Sequence, residues 1–81
     1  MTIKVLFFAS VRDLVGDAQR IVSLPDHVTV AELIAELGLV HRRFIELAPS
    51  LMVGVNQEYV TRDTVLKDGD EVAFIPPVSG G

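Results

Sequence analysis

The residues of this 81-residue chain that could do unusual chemistry lie at its end, where Pro76, Pro77, Val78, Ser79, Gly80 and Gly81 follow Ile75. Two prolines fix φ and remove two backbone donors, so a sheet has to stop there. Six extended residues then reach roughly 20 Å beyond the fold. A Gly-Gly end has minimal bulk, so it can thread a narrow channel and present its carbonyl to a nucleophile. The chain end is then itself the reactive group, with Gly81 reacting and residues 76–80 threading behind it.

Other candidates for chemistry have simpler readings. His27 lies between a Pro-Asp turn and a helix start, and His41 opens a short helix. Neither has an indicated nucleophile and orienting acid, so both read as solvated or capping residues. Asp68, Asp70 and Glu71 surround Gly69 in a pattern of turn chemistry, without the spacing of a calcium loop. No metal site is expected. The six glycines are scattered or terminal, which gives no phosphate-cradling loop. The chain has no Cys. Disulfides, thiolate catalysis and Cys-based zinc sites are therefore excluded, and a reducing, cytoplasmic setting is expected.

The elements that position the tail follow from hydropathy. Residues 2–9 read as a strand with Ile3, Val5, Phe7 and Ala9 on one face and Lys4, Leu6 and Phe8 on the other, which places it centrally in a sheet. Residues 11–16 read as a loop closed by Gly16-Asp17, and residues 18–24 as a second strand. Thr29 and Glu32 fit a capping box, with Val28 and Leu33 placed as a hydrophobic staple. Val30, Leu33, Ile34 and Leu37 make the apolar stripe of a helix, and Gly38 reads as its stop. Residues 41–48 read as a shorter helix with Phe44 and Leu47 inward, ended by Pro49. Strands are expected at residues 51–55, 59–60 and 71–75, separated by turns at Asn56-Gln57-Glu58 and Lys67-Asp68-Gly69-Asp70. This order predicts an α+β domain over residues 1–75, with a helix across one face of a mixed sheet and residues 76–81 as an extended tail. The first and last strands are expected to pair at its centre.

The chain carries seven Lys plus Arg against eleven Asp plus Glu, a formal charge of −4. Nucleic acids and anionic membranes require clustered basic residues, and only Arg42-Arg43 are adjacent here, so neither is an expected partner. No run approaches the ~20 apolar residues of a membrane span, and the first residues lack the basic region of a signal peptide. With 49% hydrophobic residues the chain is globular, but a core this small leaves little room for a deep active site. If the end strands pair, Leu6, Phe8, Ala73 and Ile75 share the sheet face away from the main helix. Either the shorter helix or a loop covers that face, or it is a partner surface.

Both ends of the chain resemble one family. The run Asp68-Gly69-Asp70-Glu71-Val72-Ala73-Phe74-Ile75-Pro76-Pro77-Val78-Ser79-Gly80-Gly81 looks like the C-terminus of the molybdopterin synthase small-subunit (MoaD) family. The opening Ile3-Lys4-Val5-Leu6-Phe7-Phe8-Ala9-Ser10-Val11-Arg12-Asp13-Leu14-Val15-Gly16 and the segment Val55-Asn56-Gln57-Glu58-Tyr59-Val60 are also similar to it. Ile75 stands where a second Phe is common, and Tyr59 where an aliphatic residue is common. The resemblance implies a ubiquitin-like β-grasp fold and a sulfur carrier that is not an enzyme by itself. In that family an activating enzyme uses ATP to adenylate the terminal carboxylate, and sulfur from a sulfurtransferase converts it to a thiocarboxylate. The carrier then docks on a large catalytic subunit in a heterotetramer, and the sulfur is donated to cyclic pyranopterin monophosphate to build the molybdopterin dithiolene. The resemblance further implies that the chain binds no cofactor, and that Phe8, Ile75 and Tyr59 contact the large subunit and the activating enzyme. A thiamine-pathway sulfur carrier and a ubiquitin-like protein modifier share the fold and the Gly-Gly end, and remain alternatives.

Overall fold

The computed structural model describes residues 1–77. Its elements are β1 (Thr2–Phe7), α1 (Ala9–Val15), β2 (Gln19–Ser23), α2 (Val30–Val40), α3 (Arg42–Leu47), a 3₁₀ turn at Ala48–Ser50, β3 (Met52–Val55), β4 (Glu58–Tyr59) and β5 (Glu71–Ile75). The five strands form one mixed sheet in the order β2-β1-β5-β3-β4. β1 and β5 run parallel with Val5 opposite Val72 and Phe7 opposite Phe74, as the apolar character of both end strands predicts. The remaining pairs are antiparallel.

Strand alternation decides which side chains are buried. Ile3, Val5, Phe7, Val53, Val72 and Phe74 turn to one face and join Val11, Val30, Leu33, Ile34, Leu37 and Phe44 from the helices in the core. Ile3, Val5, Val30, Leu33, Ile34, Val72 and Phe74 are buried as the sequence leads one to expect, and so is Phe44, while Leu47 is half-buried. At its middle, the Phe44 ring meets Phe74 edge-on at 5.1 Å, and Phe7 stacks on Phe74 at 6.3 Å. Such aromatic geometry adds about 0.5–1.5 kcal/mol per pair beyond simple burial.

α2 begins as its sequence dictates. The Thr29 hydroxyl accepts from the Glu32 amide at 3.2 Å, and the Thr29 amide donates to Glu32 Oε1 at 3.2 Å. Two further amides of its first turn, at Val30 and Ala31, donate to the carbonyls of Thr64 and Arg62. The segment after β4 thus satisfies a helix end that would otherwise have orphaned donors. Arg62 ties the same segment to the 3₁₀ turn by donating to the carbonyls of Ala48 and Leu51.

Three local expectations are corrected. Residues 11–16 are not a loop: Ala9–Val15 forms α1, which buries Val11 and Val15. The helix is short, lacks a side-chain cap and directly follows a strand, so its i, i+4 pair was masked by the apolar run before it. Ala9 does not extend the inward face of β1, which ends at Phe7; Ala9 is exposed with φ of 48°. Gly38 does not stop α2, which continues to Val40. Gly38 is buried where α3 crosses, and a Cβ there would collide with Ile45. The glycine permits helix contact and is not a terminator.

Because Leu33 is fully buried beneath the sheet, Leu33→Ala is expected to lower stability by about 2–5 kcal/mol in urea unfolding.

Candidate functional site

The other sheet face carries the site. The register aligns Leu6, Ala73, Gly54 and Tyr59 in one rung across β1, β5, β3 and β4. Met52 lies opposite Ile75 in the next rung, and Phe8 follows β1 with its amide directed to the Phe74 carbonyl at 3.4 Å. These residues, save Met52, line an open groove of about 380 Å³ together with Gln57, Glu58 and Glu71. No helical residue lines it. α3 packs on α2 and α1 on the opposite side of the sheet, so the shorter helix does not cover this face. Phe8 is 45% exposed and Tyr59 70% exposed. An exposed cluster of large apolar residues in a small domain marks a contact surface.

The hairpin that carries Tyr59 is built by two residues with positive φ, Asn56 at 51° and Gln57 at 71°, the signature of a two-residue hairpin loop. Asn56 stitches this hairpin to the start of β5. Its side chain donates to Asp70 Oδ1 at 2.9 Å and accepts from the Glu71 amide at 3.0 Å. Asp70 in turn accepts from the Lys67 amide, and Asp68 from the Thr2 amide. The acidic run thus orders the turn before β5, as the Asp-Gly-Asp pattern predicts.

β5 ends at Ile75, and Pro76 and Pro77 continue the chain beside this groove's apolar end. Pro76 is half-buried and Pro77 exposed. Phe8, Tyr59 and Ile75 are therefore brought onto one face next to the point where the tail departs. Val78, Ser79, Gly80 and Gly81 lie outside the described residues. Among the described residues, no group of three His, Asp or Glu side chains is placed to hold a metal ion, and no helix is long and apolar enough to cross a membrane. His27 is exposed in a turn with φ of 65°. His41 accepts at Nε2 from the Arg20 guanidinium at 3.3 Å, while Arg20 also pairs with Asp17 at 2.8 Å. Neither histidine lines the groove.

The model of the ThiS family matches residues 5–81 of the chain, a stretch that includes the whole tail. The chain belongs to the ThiS family. It is 46% identical to the molybdopterin synthase sulfur carrier subunit of Escherichia coli, an alignment covering 98% of this chain and 99% of that protein. The corresponding subunit of Chlamydomonas reinhardtii is 40% identical, with both chains covered completely. Among solved structures, a putative molybdopterin converting factor subunit 1 from Pyrococcus furiosus superposes with a TM-score of 0.87 at 35% identity, covering 96% of this chain and 99% of that one. The architecture is the ubiquitin-like β-grasp. It carries three α-helices where the sequence indicated two.

Sequence reasoning placed Leu6, Phe8, Ala73 and Ile75 on this face but missed Gly54 and Gln57 as parts of it. Gly54 was read only as a strand residue. The available signal was a glycine between valines in a short strand, which marks a close approach. Its position became meaningful only with the β3–β5 register.

Since Phe8 and Tyr59 lie outside the core, Phe8→Ala and Tyr59→Ala are each expected to change stability by less than about 1 kcal/mol. Phe44→Ala, within the aromatic cluster, is expected to cost about 3–5 kcal/mol in the same denaturation assay.

Proposed function

We propose that this protein is the sulfur carrier subunit of a molybdopterin synthase in molybdenum cofactor biosynthesis. The observation that carries the reading is the end-to-end alignment with sulfur carrier subunits at up to 46% identity, extending through the Gly-Gly tail. The geometry supports it: the tail leaves the end of a central strand beside an exposed apolar face, so docking that face would aim the tail into a partner.

On this reading an activating enzyme transfers AMP from ATP to the Gly81 carboxylate and releases pyrophosphate. A carboxylate is a poor electrophile, and adenylation supplies the leaving group. A persulfide loaded by a sulfurtransferase attacks the acyl carbon and expels AMP. Thiol cleavage of the resulting S–S bond leaves a thiocarboxylate on Gly81. Glycine leaves this carbon unshielded, and the absence of Cys means that no internal thiol competes for the adenylate. The carrier then docks through Phe8, Ile75 and Tyr59 on the large subunit, within a heterotetramer. Residues 76–80 thread the tail into that subunit's active site, where the sulfur attacks cyclic pyranopterin monophosphate. Two such transfers complete the dithiolene. ATP is consumed by the activating enzyme, and the carrier holds no cofactor of its own. The setting is cytoplasmic.

Intact mass spectrometry after incubation with activating enzyme, ATP and sulfur donor is expected to show one sulfur replacing one oxygen at Gly81. Deleting Gly81 moves the reacting carbonyl back by roughly 3.3–3.6 Å. Misplacement of even ~1 Å can reduce rates by about 10²-fold, so the deletion is expected to abolish the thiocarboxylate and molybdopterin formation. Stability is expected to stay within about 0.5 kcal/mol of the parent. Full activity of the deletion variant would end the carrier reading, and isopeptide conjugates in place of the thiocarboxylate would redirect it to protein modification.

A further inference from the structure

β2 lies at one edge of the sheet, with β1 as its one neighbour. The Leu24 amide donates to the Met1 carbonyl at 2.9 Å, and the Phe7 amide to the Ala18 carbonyl at 2.9 Å. Alternation along an antiparallel pair then turns the amides and carbonyls of Arg20 and Val22 toward β1, and those of Gln19, Ile21 and Ser23 outward. Among the described residues, no loop or side chain supplies these outward groups with a partner. Proteins ordinarily blunt such an edge with proline, a bulge or charge. β2 has no proline, its register with β1 is unbroken, and its outward residues are neutral. Ile21, at its middle, is 61% exposed. The opposite edge, β4, is only two residues long.

We propose that β2 pairs antiparallel with β2 of a second copy of this chain, about a two-fold axis at Ile21, joining two five-stranded sheets into one. The edge is its own complement. In this register Ile21 faces Ile21 of the second copy, Gln19 faces Ser23, and Arg20 faces Val22. Each outward amide and carbonyl then meets its opposite across the axis. The two Ile21 side chains form an apolar cross-strand pair, and no like charges stand opposed. Arg20, the one charged residue of β2, is already held by Asp17 at 2.8 Å and His41 at 3.3 Å. A contact that repeats itself through a two-fold axis closes at the dimer, whereas a foreign strand would need a matching sequence of its own. The axis stands perpendicular to the sheet, so both grooves remain open on one face. Their β5 strands lie roughly 24 Å apart at ~4.8 Å per strand. The inference goes beyond the carrier reading and does not depend on it.

A pair of five-residue strands buries less than a standard interface, so the association is weak. The test is amide hydrogen exchange by NMR on the complete chain, from micromolar to millimolar concentration. Moderate salt screens the charge of −4 on each copy. Exchange at Gln19, Ile21 and Ser23 is expected to slow by about threefold or more as concentration rises, while Arg20 and Val22, already bonded to β1, stay unchanged. Sedimentation equilibrium reads the dimer directly. Ile21→Lys is expected to raise its dissociation constant by about tenfold or more, because like charges then meet across the axis. Mixing Ile21→Lys with Ile21→Glu is expected to recover association, since residue 21 faces its own copy. Concentration-independent exchange at the three outward amides would overturn the pairing, and that measurement needs no variant. Parent-like association of folded Ile21→Lys, or no recovery in the mixture, would overturn the two-fold register. Protection of these amides only after purified large subunit is added would overturn the second copy and give the edge to that partner.

Discussion

The parallel pairing of β1 with β5 joins the two ends of the described chain, with Lys4, Val5, Leu6 and Phe7 opposite Glu71, Val72, Ala73 and Phe74. A parallel pair cannot be closed by a tight turn, so the intervening chain must travel to the far side and return. Here that excursion contains all of α2 and α3, which supply Leu33, Leu37 and Phe44 to the inward face. The same pairing assembles the outward face, because adjacent residues of each strand point to opposite sides. Phe7 and Phe74 enter the aromatic cluster, while Leu6 and Ala73 border the groove.

This arrangement separates stability from contact. Among the described residues no polar or charged side chain is buried, and the core is apolar throughout. The side-chain salt bridges Lys4–Glu71 and Arg20–Asp17 are exposed or half-exposed and add little. Stability therefore comes from one face of the sheet, and the other face is free to vary in chemistry. β5 couples the two roles. Its inward residues anchor the strand, and Pro76 ends it at a fixed place relative to the groove. A segment that continues from a rigid strand needs less ordering on binding than one on a long loop.

The hairpin β3–β4 completes the surface. Asn56 and Gln57 adopt positive φ, which is unusual for non-glycine residues and is held by the hydrogen bonds of Asn56 to Asp70 and Glu71. The acidic turn before β5 is thus part of the structure that positions Tyr59.

Much of this was legible in the residues alone. Alternation in residues 2–7 and 71–75 announced two-faced central strands, and the capping box at Thr29 and Glu32 located the start of α2. Pro76-Pro77 marked the end of the sheet, and the resemblance of both chain ends pointed to the family. These signals are local, or lie in the types of consecutive residues, so no knowledge of distant contacts was needed. Tertiary structure alone decided the rest. α1 forms although its seven residues are too few to make a stable helix unaided, because packing of Val11 and Val15 supports it. Gly38 continues a helix because Ile45 of α3 requires the space. Gly54 acquires its place in the groove only through the register of β3 against β5, a contact between segments far apart in the chain. Strand register sets which side chains share a face, and it is fixed by the joint burial of both strands and not by either sequence segment alone.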